Sequence, residues 1–281
     1  MSSLFDFDSP PDRYAVMGNP IAHSKSPLIH SEFAAQTRQR MIYEAILVDP
    51  GGLAQAIGNF QATAGKGLNI TVPFKHEAWK LMDERSERAE RAGAVNTIVF
   101  RADGRRYGDN TDGVGLVRDI VNNHGGRFSN QHILILGAGG AVRGILGPIL
   151  DELPRKIVIA NRTVDRAVVL AREFSSTIPV EGCGYPALDG MQFDLIINGT
   201  SASLKGELPP LPASIVTRHS WCYDMMYGDK PTIFMQWAKS RGTEKCLNGL
   251  GMLVEQAAES FFLWRNIRPD TAPVIEKLRR Y

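Results

Sequence analysis

The segment Gln131-His-Ile-Leu-Ile-Leu-Gly-Ala-Gly-Gly-Ala141 constrains the fold of this chain more than any other. A short apolar run that ends in glycines reads as a buried strand feeding a tight turn that opens a helix. Such a turn brings backbone N–H groups close to a pyrophosphate at the positive end of the helix. The next apolar run, Lys156-Ile-Val-Ile-Ala160, ends in Asn161-Arg-Thr163, where a dinucleotide fold places the residue that meets the adenosine ribose. An acid there would suit the ribose 2′-OH of NAD. This chain instead has Asn161, Arg162 and Thr163, with Arg166 one helical turn on, a set suited to a 2′-phosphate. The third fingerprint position is Val142 rather than glycine, so the glycine turn alone would also fit a ligand-free strand and helix. The order strand, turn, helix, strand, polar tip is what favours nucleotide, and NADP over NAD.

The length and balance of the chain exclude several classes. At 281 residues it can bury a sizeable core and is long enough for two domains. A formal net charge of +2, from 32 basic and 30 acidic residues, gives no footprint for nucleic acid or membrane. No apolar run is long enough to span a bilayer, and Met1 to Pro10 reads as a short acidic tail without the features of a signal peptide. Cys183, Cys222 and Cys246 are odd in number and lack metal-ligand spacing, which predicts free thiols in a reducing cytoplasm. Cys222 sits in the apolar run Trp221-Cys-Tyr-Asp224 and reads as a core residue. The scattered histidines give no zinc site.

Along the chain the first third alternates strands and helices. Strands are expected at Arg13 to Met17, Ile42 to Val48, Gly67 to Thr71 and Val95 to Phe100, with helices from Pro27 towards Arg40 and from Leu53 to Ala64. Two helical stretches lie around His76 to Met82 and Glu87 to Arg91, and Asp103-Gly104 reads as a hairpin turn. A helix from Asp112 to Asn123 ends at His124-Gly125-Gly126. The fold class is therefore α/β: an N-terminal open α/β domain, then a Rossmann-like domain, with a cleft between them. Further strands are expected at Phe193 to Ile197 and Trp221 to Asp224. In the last long helix, about Gly251 to Arg265, Leu253, Ala257, Phe261 and Trp264 recur at helical spacing and predict one buried face.

Four short segments of the first third carry polar groups at strand ends, where open α/β sheets bind ligands. His23-Ser-Lys-Ser-Pro27 places Ser24 and Ser26 just before a helix, with Ser26 suited to an N-cap and Pro27 to the first helical position. Asn69-Ile-Thr-Val-Pro-Phe-Lys75 delivers Thr71 and Lys75 after a strand broken by proline. Gly93-Ala-Val-Asn-Thr97 places an amide, Asn96, in an apolar strand, where it must find partners. Asp109-Asn-Thr-Asp-Gly113 reads as a turn on composition, with Asp112 open to an N-cap role.

In chain order these segments, the glycine turn, Asn161-Arg-Thr163 and Gly249-Leu-Gly-Met-Leu-Val-Glu-Gln256 resemble the shikimate dehydrogenase family, from about Tyr14 to Pro273. The resemblance implies NADPH-dependent, reversible reduction of 3-dehydroshikimate to shikimate in aromatic amino-acid biosynthesis. By motif it assigns Lys75 and Asp112 to the catalytic pair. It gives Ser24 and Ser26 the substrate carboxylate, and Thr71, Asn96, Asp112, Tyr227 and Gln256 the remaining substrate contacts. Gly137, Ala138, Gly139, Gly140 and Ala141 would cradle the pyrophosphate, and Asn161, Arg162, Thr163 and Arg166 the 2′-phosphate. Met225 and Gly249 would lie against the nicotinamide, with Glu87 on the cofactor side. Residues 1–112, with a C-terminal helix at about 250–281, would form the substrate domain, and 113–249 the NADP domain. The family's members are cytoplasmic monomers or homodimers.

Two departures stand out. Asn248 takes a place where the family commonly carries Asp, and Ser203-Leu204 lies where a Gly-Met often follows the Thr-Ser pair. Both bear on cofactor affinity more than on reaction type. Three alternatives stay open: a quinate/shikimate dehydrogenase using NAD, a non-catalytic NADP-binding regulator on the same scaffold, and a methylene-tetrahydrofolate dehydrogenase. The last would have no use for Ser24 and Ser26.

Overall fold

The computed structural model describes residues 10–175, 177–200, 202 and 206–280; most of the acidic tail and the Ser203-Leu204 departure lie outside them. The apolar runs fold into two six-stranded sheets, one in each of two units. The first unit takes the chain up to Ala89, then Ala94–Asn110 and Ala257–Asp270. The second takes Glu90–Gly93, Thr111–Gln256 and the chain from Thr271.

In the first unit the strands are β1 (Asp12–Gly18), β2 (Met41–Leu47), β3 (Gly65–Ile70), β4 (Glu84–Arg85), β5 (Thr97–Phe100) and β6 (Arg106–Asp109), in the order β2-β1-β3-β5-β6-β4. The first three run parallel, joined by the helices α1 (Ser26–Thr37) and α2 (Leu53–Ala62). Hydrogen-bonded on both sides, β1 is buried along most of its length, whereas the edge strand β2 has no fully buried residue. The Asp103-Gly104 turn holds Gly104 at φ +87° and returns β6 antiparallel to β5, as its composition predicts. The apolar layer against this sheet includes Leu53, Ile57, Leu68, Phe74 and Ile98.

The second unit is the Rossmann-like one. Strands β7 (His132–Leu136), β8 (Lys156–Ala160), β9 (Val180–Cys183), β10 (Leu195–Asn198), β11 (Trp221–Asp224) and β12 (Lys245–Asn248) are all parallel. Their order, β12-β11-β10-β7-β8-β9, is the doubly wound order, in which ligands bind beyond the strand C-termini where the winding reverses. Buried on both faces, β7, β8 and β10 are continuous runs of Ile, Leu and Val. Helices α5 (Asp112–Arg118), α6 (Gly140–Asp151), α7 (Val164–Phe174), α8 (Ile233–Ser240) and α10 (Ala272–Leu278) belong to this unit.

The chain passes between the units inside α4 (Glu87–Ala92), after Gly93, after Asn110, inside α9 (Leu250–Arg265) and after Asp270. The sequence predicts one buried face for α9, but burial runs nearly all round it, Glu255, Glu259 and Ser260 included. Polar partners account for the difference. Glu255 accepts from Asn123 and from Thr271, while Arg88 and Arg268 hold Glu259. Among the described residues no helix is long and apolar enough to cross a membrane, and no group of His, Cys, Asp or Glu is placed to hold a metal ion.

Candidate functional site

In the second unit the glycine turn stands where β7 meets α6. Gly137 has φ +104°, and a Cβ there would lie 3.2 Å from the Gly199 carbonyl, so both backbone shape and space call for glycine. At Gly139 and Gly140 a Cβ would meet nothing within 4 Å, and both are exposed at the start of the twelve-residue α6. Ala138 is half-buried and Ala141 exposed. Open space therefore lies over Gly139 and Gly140 at the positive end of α6, which suits a pyrophosphate. Val142 is fully buried, and it turns the third fingerprint position into core packing.

At the end of β8, Asn161 donates from Nδ2 to the Thr163 carbonyl at 2.9 Å and bends the chain into α7. Arg162, Thr163 and Arg166 are exposed. The Arg162 charge lies near the Tyr185 phenol, whose pKa burial raises and that charge partly restores. A groove of about 370 Å³ runs past Gly139, Gly140, Arg143, Asp165 and Arg166. Arg143 is a residue the sequence reading missed. It stands three residues into α6, pairs with Glu173 and covers the Phe174 ring.

Beyond β11 and β12, Met225 and Gly249 touch. A Cβ on Gly249 would stand 2.2 Å from the Met225 carbonyl oxygen, and Gly249 N donates to Met226 O at 3.1 Å. Asn248 turns its side chain onto the same loop and accepts from Leu250 N at 3.2 Å. Tyr227 is half-buried, which raises its phenol pKa. The α5 helix begins at Asp112 behind Thr111, so Asp112 is its first residue rather than its N-cap. Thr111 donates to Gln256 Oε1 at 3.4 Å, which places Gln256 beside the start of α5.

In the first unit Ser24 accepts from Ser26 N at 3.3 Å, and α1 begins at Ser26 with Lys25 as its cap. The expected N-cap role of Ser26 is thus corrected. Its own hydroxyl lies beside the buried Tyr43 phenol, whose pKa burial pushes up. Tyr43 donates to Asn69 Oδ1 at 2.7 Å, and Asn69 Nδ2 reaches Asn96 O, Thr97 Oγ1 and Ser260 Oγ at 3.0, 3.1 and 3.0 Å. A string of buried polar contacts therefore links Ser26, beside Tyr43, to Asn96, seventy residues further along the sequence. Asn96 also accepts from Thr97 Oγ1 at 2.9 Å.

Thr71 N donates to Met17 O at 2.9 Å, and Phe74 N closes the following turn on Thr71 O at 3.0 Å. The Val72–Pro73 peptide in that turn is cis. The turn delivers Lys75, half-buried, as the first residue of α3 (Lys75–Lys80). The Lys75 carbonyl accepts from Val95 N at 2.9 Å, which docks α3 beside Asn96. Glu87 is exposed at the start of α4. Ser24, Ser26, Thr71, Lys75, Glu87 and Asn96 belong to the first unit, and Asp112, Tyr227, Gln256 and the glycine-turn residues to the second. The partners Tyr43, Asn69 and Ser260 were not found from sequence. Asn69 alone carried a signal, as an amide inside an apolar strand.

Three family models match the chain. They are the shikimate dehydrogenase substrate-binding domain over residues 16–98, shikimate/quinate 5-dehydrogenase over 119–205, and the shikimate 5′-dehydrogenase C-terminal domain over 249–279. A shikimate dehydrogenase (NADP(+)) of Nitrosococcus oceani is 57% identical over 270 residues, 96% of each chain. An Ael1 enzyme from Pseudomonas putida superposes with a TM-score of 0.91 at 46% identity, over 95% of this chain and 98% of that one. Shikimate 5-dehydrogenase of Thermus thermophilus, solved with NADP(H) and shikimate, superposes with a TM-score of 0.85 at 32% identity, over 96% and 99% of the two chains.

Proposed function

The chain belongs to the shikimate dehydrogenase family, and from that premise we propose how its residues divide the work. It is an NADP-dependent oxidoreductase that reduces 3-dehydroshikimate to shikimate, reversibly. Identity with NADP-dependent relatives across nearly the whole of both chains carries that conclusion. Substrate binding falls to residues 1–112 and the C-terminal stretch from about 250, and NADP binding to 113–249.

The nicotinamide supplies the hydride when NADPH is bound. The chain's own residues do the rest. As hydride reaches the ketone carbon, its oxygen becomes alkoxide-like and needs a proton. Lys75, protonated, stabilises that charge and donates the proton from Nζ; in the oxidative direction the neutral amine takes it back. Asp112 orients the lysine and accepts from a neighbouring substrate hydroxyl. Ser24 and Ser26 hold the substrate carboxylate, while Thr71, Asn96, Tyr227 and Gln256 hold the ring hydroxyls. The buried string through Tyr43 and Asn69 supports this, because it holds Ser26 and Asn96 in one fixed frame.

Gly137 to Ala141 receive the pyrophosphate, and Asn161, Arg162, Thr163 and Arg166 the 2′-phosphate. Met225 and Gly249 back the nicotinamide, with Glu87 on the cofactor side. The proposal includes a cytoplasmic location, supported by three free cysteines, and action as a monomer or homodimer without nucleic acid or membrane.

Initial rates with shikimate and quinate, each paired with NADP and NAD, test the whole reading. Strong preference for shikimate with NADP is expected. Turnover of quinate with NAD would overturn the specificity assigned to Arg162 and its neighbours. Tight NADP binding without turnover would favour the regulator.

A further inference from the structure

We propose that Asp119 is a positioning residue, which fixes Gln256 relative to Asp112 by pinning the start of α9 to the end of α5. The proposal rests on the assignment of Gln256 and Asp112 to the substrate. All the groups involved belong to the second unit.

Asp119 opens a wide π-type turn, Asp119–Asn123, that continues α5, and its side chain is 1% exposed. A carboxylate so buried needs partners. Tyr223, also fully buried, donates to Asp119 Oδ2 at 2.7 Å, and Asn123 Nδ2 donates to Oδ1 at 3.0 Å. His124 Nε2 lies 3.5 Å from Oδ1. The Tyr223 hydroxyl also lies against the backbone of Met252, inside the first turn of α9. A Cβ on Gly251 would stand 1.8 Å from Asp119 Oδ1. The carboxylate is therefore packed on the backbone at the positive end of α9, and no other side chain than glycine fits between them.

A second backbone contact lies further along the same pair of helices. A Cβ on Gly115 would stand 2.8 Å from both Gln256 N and Gln256 Cβ, and 2.9 Å from Met252 O. The two helices thus meet at two glycines, Gly251 over Asp119 and Gly115 over Gln256. Asn123 binds Asp119 and Glu255 together, at 3.0 Å each, and so ties the pin to the residue before Gln256.

Gln256 lies five residues beyond Gly251, and Asp112 seven before Asp119, or about 8–10 Å of helix rise in each case. Slack at the pin becomes displacement of Gln256 against Asp112. A misplacement of about 1 Å in a reacting geometry can cost about 100-fold. If Asp119 only stabilised the fold, its removal would lower the melting temperature without this effect.

The test is a double-mutant cycle of Asp119→Asn with Gln256→Ala, read as kcat and KM for shikimate at saturating NADP. Asp119→Asn alone is expected to lower kcat/KM for shikimate by about 10- to 100-fold. In the Gln256→Ala background it should add less than about twofold, because coupled residues are not additive. Full additivity, or a lowered melting temperature with unchanged kcat/KM, would overturn the proposal. Should Asp119→Asn fail to fold, Tyr223→Phe enters the same cycle; it removes the hydroxyl that donates to Asp119, keeps the carboxylate, and is read by the same outcomes. Gln256→Ala with unchanged shikimate KM would overturn the assignment of Gln256, and this proposal with it.

Discussion

Arg88 grips the Asp109 carboxylate with two nitrogens, Nε on Oδ1 at 2.7 Å and Nη2 on Oδ2 at 2.6 Å. Asp109 is 2% exposed, ends β6, and also accepts from Ser86 Oγ and Asn110 N. Burial works against the Arg88 charge, but Asp109 and Glu259 outweigh it and hold the guanidinium above its ordinary range. Removing one member of such a pair leaves a buried charge unmatched, at a cost of about 3–5 kcal/mol. Arg88→Met is therefore expected to lose about that much in urea denaturation. A loss below about 1 kcal/mol would place the pair with exposed ion pairs.

Cofactor choice follows from the tip of β8. With Asn161, Arg162 and Thr163 there and no acid, Arg162→Ala should raise KM for NADP by about 10- to 100-fold, the worth of a charge-assisted hydrogen bond. KM for NAD should move little. Asn161→Asp supplies the acid that a ribose 2′-OH prefers, and should shift the ratio further towards NAD. Equal loss with both cofactors would place Arg162 away from the 2′-phosphate.

Most of the second unit was legible in the sequence because its central strands are buried on both faces and so are written as unbroken apolar runs, as in Ile133 to Leu136. Strands β9 and β12 were not. Val180–Cys183 contains Glu181 and Gly182, and Lys245–Asn248 is half-exposed at a sheet edge, so neither carries a pattern. Helix α8 was missed behind Pro231 and Thr232, although Thr232 is its N-cap and accepts from Met235 N at 3.2 Å. The two-residue β4 has no signal of its own and exists only through its pairing with β6. In the site, motifs named the residues, but the partners that hold them come from distant segments. Ser260 reaches Asn69 across 191 residues, a relation no local pattern encodes.

A pH dependence follows from His30. It is fully buried in α1, stacked on Tyr43 with ring centroids 4.1 Å apart, and neither ring nitrogen has a hydrogen-bond partner among the described residues. Burial lowers its pKa to about 3, outweighing the opposing effect of nearby Asn69. The unfolded chain binds a proton here below about pH 6.5 while the folded chain stays neutral, so acid favours unfolding. Stability from this group is complete above pH 6.5 and falls by about 1.4 kcal/mol per pH unit as pH drops towards 3. The stability difference between the native chain and His30→Gln should therefore shrink by about 2 kcal/mol between pH 6.5 and 5. A difference that stays constant over that range would refute a neutral, buried His30.

Lys75 offers the sharpest test of the chemistry. Its carbonyl is fixed by Val95 N at 2.9 Å, so the residue's backbone is held next to the Asn96 segment whatever its side chain. Substitution should then change the reaction more than the fold. Lys75→Ala is expected to lower kcat by about 10²–10⁴, the usual size for a general acid–base group. KM for shikimate should change much less, and melting temperature little. Lys75→Arg keeps the positive charge but holds its proton at neutral pH, so it should keep substrate binding without restoring turnover. That split separates proton transfer from charge alone. Recovery of kcat in the arginine variant would reduce Lys75 to an electrostatic partner, and near-native turnover in the alanine variant would remove it from the reaction.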